Sequence, residues 1–571
     1  MSTVTKSFTV ALCLFLLACM LLGCNNKASG DNETQQSTQA PAATEAPIEE
    51  LVFKKKTNGG GWYVADYKGK APTVVIPSEY QDQPVTAIGK EAFSGCSVLT
   101  SITIPDSVVR IEDEAFSYCK ELTNITLPDG IRYIGNNAFS NCVKLEEINI
   151  PDSVGEIGAN AFKDCSGLMS VTIGRNATEL GEGIFFGCTS LIKATISDGV
   201  PEISENMFKD CIALSRVVIP NSVTDIGTSA FSGCSGMTSV VIGTGVTSIG
   251  QEAFSNCTGL TNLVLDGNIE TVGRRAFYNC TELTNLTVGN SVQGLGDEVF
   301  GGCTGLTNIT WGVDKGVWSG YFVGAMDSIV SITYTEGISV IEYLHGGFSN
   351  LTSVTIPEGV VEIGESSFQD CDKLTAIKIP SSVQRICRTA FGYCDELQEV
   401  IIGGTGFQQT TETSIGVEAF AECPKLSSLV LGENVTKIGS GAFCYCEALA
   451  SVNVYWGWNI KEIGDYAFAY CTGLTKVNLH DNLEEVGQHA FSGCTNLYQF
   501  TFGANTSYIQ NNVFDYCSRL EEINFNGTKA QCKDIVVDNW HDDFTWGYDV
   551  PTSGIYCNGA WLSLEEWVEA Q

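Results

Sequence analysis

Apolar and polar positions recur along this chain with a fixed period. Residues 105–127 read PDSVVRIEDEAFSYCKELTNITL, and residues 128–150 read PDGIRYIGNNAFSNCVKLEEINI. The same slots are apolar in both, with Phe116 and Phe139 at their centres. Steps of 23 place Phe93, Phe116, Phe139, Phe162, Phe185, Phe208, Phe231, Phe254, Phe277 and Phe300 in one column. A period of this size predicts a solenoid. One unit is a single supersecondary element that cannot cover its own apolar faces, so units must stack.

Each unit predicts the same elements. Leu122, Ile125 and Leu127 alternate with Asn124 and Thr126, the pattern of a half-buried strand. The other half runs from Val108 through Ile111 and Ala115-Phe116 to Cys119. In most units a glycine follows the isoleucine, as at Gly135, Gly158, Gly227 and Gly250, which predicts a bend with positive φ. The stretch from that glycine to the cysteine is too short for a standard helix and predicts one helical or 3₁₀ turn. Pro-Asp, Pro-Asn and Gly-Thr between the halves are turn signals. Strands of successive units then lie side by side in a parallel sheet, about 4.8 Å apart.

The pattern L-x-x-I-x-I-P-x-x-V-x-x-I-G-x-x-A-F-x-x-C resembles the BspA-like, 23-residue class of bacterial leucine-rich repeats. The resemblance runs from about Gln83 to Phe525, through some nineteen units. It implies a right-handed leucine-rich repeat solenoid on a bacterial surface, of a kind implicated in adhesion to proteins or to other cells.

The ends depart from the repeat. Residues 1–23 read as a signal peptide: Lys6 precedes an apolar run over 8–22 that is too short to span a membrane comfortably. Leu21-Leu22-Gly23-Cys24 resembles a bacterial lipobox, which implies that Cys24 receives diacylglycerol and becomes the new N-terminus. Two or more acyl chains suffice for stable anchoring. Residues 24–50 have almost no large apolar residue and read as a disordered tether. Residues 51–84 predict an N-terminal cap with strands over 62–67 and 73–76. Residues 85–525 are the array. Residues 526–571, with Trp540, Trp546, Trp561 and Trp567, resemble the family's C-terminal cap.

Within the array the pattern degrades over 311–350. Val323 stands where Phe is due and Met326 where Cys is due; Trp311 and Trp318 stand where Ile is due. In the next unit His345 takes the Phe slot and Phe348 the Cys slot. Swaps of this size disturb a tight core, so 314–347 reads as a local bend or looser joint, or else as an interaction site. Regular units resume at Phe368 and Phe391. Two insertions follow, one over 403–413 and one containing Tyr455-Trp456-Gly457-Trp458. Both leave the unit just after its strand, which predicts that both emerge on one edge.

Charge narrows the function classes. The formal net charge of −35 over 571 residues argues against nucleic acid and anionic membrane as partners, since both reward basic patches. Basic protein partners remain open. The four histidines, His345, His480, His489 and His541, accompany no G-x-S-x-G motif and no phosphate-binding loop, so catalysis is not expected and no cofactor is implied.

Of the 24 cysteines, Cys13, Cys19 and Cys24 lie in the leader, and Cys387, Cys444, Cys532 and Cys557 fall off the pattern. The other seventeen, from Cys96 to Cys517, stand three residues after the repeat phenylalanine. They point the same way in every coil, whereas a disulfide needs converging Cβ vectors. Buried free thiols are therefore expected. Cys532 and Cys557 are the best candidate disulfide pair. No C-x-x-C occurs, so no zinc site is expected.

The candidate ligand contacts are Tyr455, Trp456, Trp458 and Phe407. They sit in insertions that no other unit carries, and Trp and Tyr are frequent binding hot spots. A glycan-binding or glycan-processing surface protein using the Trp loops is the alternative reading.

Overall fold

The computed structural model describes residues 48–57, 60–314, 318–342, 348–403, 411–454, 459–479, 481–537, 554–558, 560–563 and 566. The chain falls into two units, Met1–Thr44 and Glu45–Gln571, and the first lies outside the described residues. The expected signal peptide, Cys24 and most of the tether lie there with it.

The second unit is a parallel β-solenoid of about 19 turns with little helix. Its wider strands, such as Glu147–Ile150, Ser170–Ile173 and Lys193–Ile196, pair in parallel with Ile148 opposite Val171 and Val171 opposite Ala194. A second, narrower sheet runs beside them through two-residue strands such as Glu156–Ile157 and Glu179–Leu180. Period-two alternation decides which side faces in. Ile148 and Ile150 are buried, while Glu147 and Asn149 face solvent.

The third flank of each coil carries the phenylalanine. Here the i→i+3 hydrogen bonds expected of a 3₁₀ turn form: Ala138 N–H donates to Gly135 O, Ser140 to Asn137 O and Cys142 to Phe139 O. They close successive turns, because Asn137 and Asn141 are left-handed at φ 53° and 60°. Asparagine tolerates that region, since its short polar side chain bonds locally. The amides in between are turned outward along the solenoid. Asn137, Phe139 and Asn141 donate to the carbonyls of Ala159, Ala161 and Lys163 in the next coil at 2.7–2.9 Å.

Gly135, Gly158, Gly227 and Gly250 are not left-handed, contrary to the expected bend. They are small for another reason. A Cβ on Gly158 would lie 2.5 Å from Asn136 N, and one on Gly135 would lie 2.5 Å from Asp113 N. The coils approach backbone to backbone at this corner.

Core packing is a stack of rings. Phe93 through Phe300 stack coil on coil with centroids 5.0–5.9 Å apart. The next ring is Phe322, 5.2 Å from Phe300, and not Val323, which is exposed. The Cys slot there belongs to buried Ala325 in place of Met326, and its N–H donates to Phe322 O as the repeat cysteines' amides do. The unit has slipped by one residue, and the helix Trp318–Tyr321 leads directly into its ring at Phe322. Among the described residues the narrow sheet has no strand between Gly294–Leu295 and Val340–Ile341, whereas the wide sheet runs through from Asn308–Trp311 to Ser331–Tyr334 and Ser353–Thr355. Buried Trp311 and Trp318, 4.7 Å apart, fill the space with Phe322 and Phe348. Phe348 occupies the Cys slot as expected; His345 lies outside the described residues.

At the N-terminal end Leu51–Lys55 pairs antiparallel with Trp62–Tyr67, which pairs parallel with Gln83–Ile88. That last strand straddles the expected boundary between cap and array. At the other end Glu522–Phe525 receives Gly554–Cys557, which turns back into Ala560–Ser563. The helix Lys529–Lys533 starts at a capping box between Thr528 and Gln531.

Candidate interaction surface

Two slots are left-handed in each regular coil, two residues before and two after the stacked phenylalanine. The latter holds Gly95, Asn141, Asp164, Asp210, Gly233, Asn256, Asn279 and Asp370, residue types that accept positive φ. Tyr118, Tyr393, Tyr445, Tyr470 and Tyr516 stand in the same slot at φ 60–63°. A bulky residue there is strained, and such strain persists only where the surroundings over-determine it. Four of these five tyrosines follow residue 392.

These rings make contacts along the edge. Tyr445 and Tyr470 stack at 4.6 Å with an interplanar angle of 3°. The ring of Tyr470 continues over Gly493, where a Cβ would meet Tyr470 Cδ1 at 2.6 Å. Beside this column Tyr466 stacks on His489 at 4.8 Å, and His489 Nδ1 lies 3.1 Å from the buried carboxylate of Asp515. Tyr445, Tyr466, Tyr470 and Tyr516 remain 39–53% exposed. Glu422 takes the slot in the coil between Tyr393 and Tyr445. Partial burial, then the Glu422 and Glu418 carboxylates, hold the Tyr393 hydroxyl above its ordinary pKa.

The wide sheet presents a polar face. Thr103, Thr126, Asn149 and Thr333 are exposed, and Thr172, Thr287, Thr310 and Asn524 are partly so. One row forms an amide ladder: Asn285 Nδ2 donates to Asn262 Oδ1 at 2.8 Å, Asn308 Nδ2 to Asn285 Oδ1 at 3.0 Å, and Ser331 Oγ to Asn308 Oδ1 at 2.8 Å.

The thiols are inward. Among the ladder cysteines Cys96 is half-buried and the others are buried, all as free thiols. Cys532 and Cys557 are brought within hydrogen-bonding reach of each other, with no disulfide joining them.

Cys24, Phe407, Tyr455, Trp456 and Trp458, the residues singled out from the sequence, lie outside the described residues. The strands that lead into the two insertions are described. Ile402 pairs with Leu431 and Leu431 with Val454, so both insertions leave at one corner, two coils apart. Phe391 and Phe420 still stack at 5.2 Å across the longer one, so the ring stack continues on either side of it. The tyrosine column is the feature that sequence reading missed. Its signal is a bulky aromatic recurring two residues after Phe.

Residues 86–215, 201–315, 319–413 and 413–538 each match the family model described as the BspA type leucine-rich repeat region. The chain belongs to that family. Among solved structures, a leucine-rich repeat protein from Bacteroides ovatus is 26% identical, covering 68% of this chain and 94% of its own, with a TM-score of 0.46. The leucine-rich repeat protein of T. pallidum is 31% identical over 34% of this chain and 91% of its own, with a TM-score of 0.32. A leucine-rich cell surface protein from Faecalibacterium prausnitzii is 21% identical over 88% of this chain and all of its own, with a TM-score of 0.25. No curated protein sequence matches. Leucine-rich repeat solenoids are typically non-catalytic scaffolds that bind proteins.

Proposed function

We propose that this BspA-type protein is exported, lipidated at Cys24 and displayed on a bacterial surface, where its solenoid binds a protein partner in adhesion. One observation carries the binding reading: inward slots repeat from coil to coil, while solvent-facing slots vary. The slot two after Phe is Gly, Asn, Asp, Glu or Tyr, though the ring beside it is always buried. An array of this kind offers many independent surface positions on one rigid frame. The anchor rests on Leu21-Leu22-Gly23-Cys24 and on the apolar-poor residues 25–50 that follow.

Phe407, Tyr455, Trp456 and Trp458 belong to this proposal as contacts, because their two insertions share a corner. Trp456→Ala with Trp458→Ala weakens binding to the native partner by at least about 2 kcal/mol and leaves thermal stability nearly unchanged. A large stability loss makes them packing residues, and unaltered affinity places the contact elsewhere. If a carbohydrate array rather than a protein registers that loss, the glycan reading replaces the protein one.

A further inference from the structure

Two strained rings and an exposed carboxylate coincide on the turn edge. Tyr393, Glu422 and Tyr445 occupy the same slot in three successive coils, all left-handed. Their backbones are held in step: Tyr393 N–H donates to Ala421 O and Glu422 N–H to Cys444 O, both at 2.8 Å. Two coil spacings separate the tyrosines by about 10 Å, with the Glu422 side chain between them. Asn, Asp and Gly fill this slot elsewhere at lower backbone cost, so the turn itself does not call for tyrosine.

The notch has a defined chemistry. One face of Tyr445 is covered by Tyr470 at 4.6 Å, which fixes the ring and leaves its other face on the Glu422 side. Glu422 is exposed and enters no ion pair among the described residues, whereas nearby Glu418 lies 3.5 Å from Arg388. A cation entering here meets a carboxylate and aromatic faces together. Lysine and arginine also carry apolar stems that pack on rings while the charged head reaches the acid. The net charge of −35 draws basic partners toward the surface.

We propose that the notch formed by Tyr393, Glu422 and Tyr445 receives a lysine or arginine side chain from a basic protein partner. This rests on the protein-binding reading above and names the partner's chemistry.

The test uses the full chain and fluorescence anisotropy with a lysine- and arginine-rich peptide, beside an acidic peptide of equal length. The variants are Tyr393→Asn with Tyr445→Asn, and Glu422→Gln. Asparagine already occupies this slot at Asn141, Asn256 and Asn279, so the coil keeps its backbone. Glu147→Gln, on the exposed sheet face, makes the same charge change elsewhere. Each notch variant loses at least about tenfold in affinity for the basic peptide, a loss of about 1.4 kcal/mol; the control changes by less than about threefold, as expected of one exposed charge. Equal loss in the control, undiminished binding by the double tyrosine variant, or no binding of the basic peptide by the wild type overturns the proposal. So does a loss confined to a carbohydrate array. If the notch variants still bind the native protein partner as the wild type does, the notch fails while the protein-binding reading stands.

Discussion

The thiol of Cys119 donates a hydrogen bond to the carbonyl oxygen of Phe93, one coil earlier, at 3.1 Å. The same bond recurs from Cys142 to Phe116, Cys234 to Phe208 and Cys517 to Phe491 at 3.1–3.2 Å. The repeat cysteine is thus a small apolar filler that also supplies a weak donor to a buried carbonyl. Burial has a second effect. It disfavours the thiolate, so Cys119 and Cys257 are each pushed up from 9.0 to about 12, and Cys234, Cys446 and Cys471 are raised as well.

A pH dependence follows. The unfolded chain releases these protons near the ordinary thiol value while the folded chain keeps them. The stabilisation is therefore complete below about pH 9 and is lost as pH rises toward about 12. Each such thiol contributes a slope of about 1.4 kcal/mol per pH unit in that window. Denaturation in guanidinium with reductant present, repeated from pH 8 to pH 10.5, shows stability falling steeply. Cys119→Ala with Cys257→Ala makes the fall shallower. A flat profile means the thiols already ionise in the folded state.

Two glycines separate the two demands on this residue. Gly158→Ala brings a Cβ to 2.5 Å from Asn136 N and forces two coils apart, a loss of roughly 1–3 kcal/mol. At Gly95, with φ 70°, a Cβ would meet nothing within 4 Å, and Gly95→Asn stays within about 0.5 kcal/mol. Chemical denaturation of the two variants gives the comparison. Equal losses contradict the close approach of coils as the reason for glycine at Gly158.

The slipped unit makes its own prediction. Phe322→Ala empties a place in the ring stack and costs about 3–5 kcal/mol. Val323→Ala, at an exposed position, changes stability by less than about 0.5 kcal/mol. The reverse order restores the uninterrupted 23-residue phase.

The repeat was legible in the sequence because packing forces it: a ring that must stack on Phe116 and Phe162 leaves Phe139 no other choice. The corner glycines were legible as glycines but not in their cause, since a short approach between coils and a positive φ select the same residue. The slip at Phe322 was hidden because the wide strands on either side of it, Asn308–Trp311 and Ser331–Tyr334, keep the 23-residue register. The tyrosine column escaped notice because its slot is solvent-facing and carries no period in hydrophobicity. Only the backbone angles mark Tyr445 and Tyr470 as costly choices.

Surface display with binding is the central claim, and cell adhesion tests it most directly. Cells producing the full chain and cells producing Cys24→Ala are compared for attachment to immobilised extracellular protein, with the chain's location followed in parallel. Wild-type cells attach, whereas Cys24→Ala cells release the protein from the membrane fraction and lose that attachment. Equal attachment by both, with the variant still bound to the membrane, contradicts the claim.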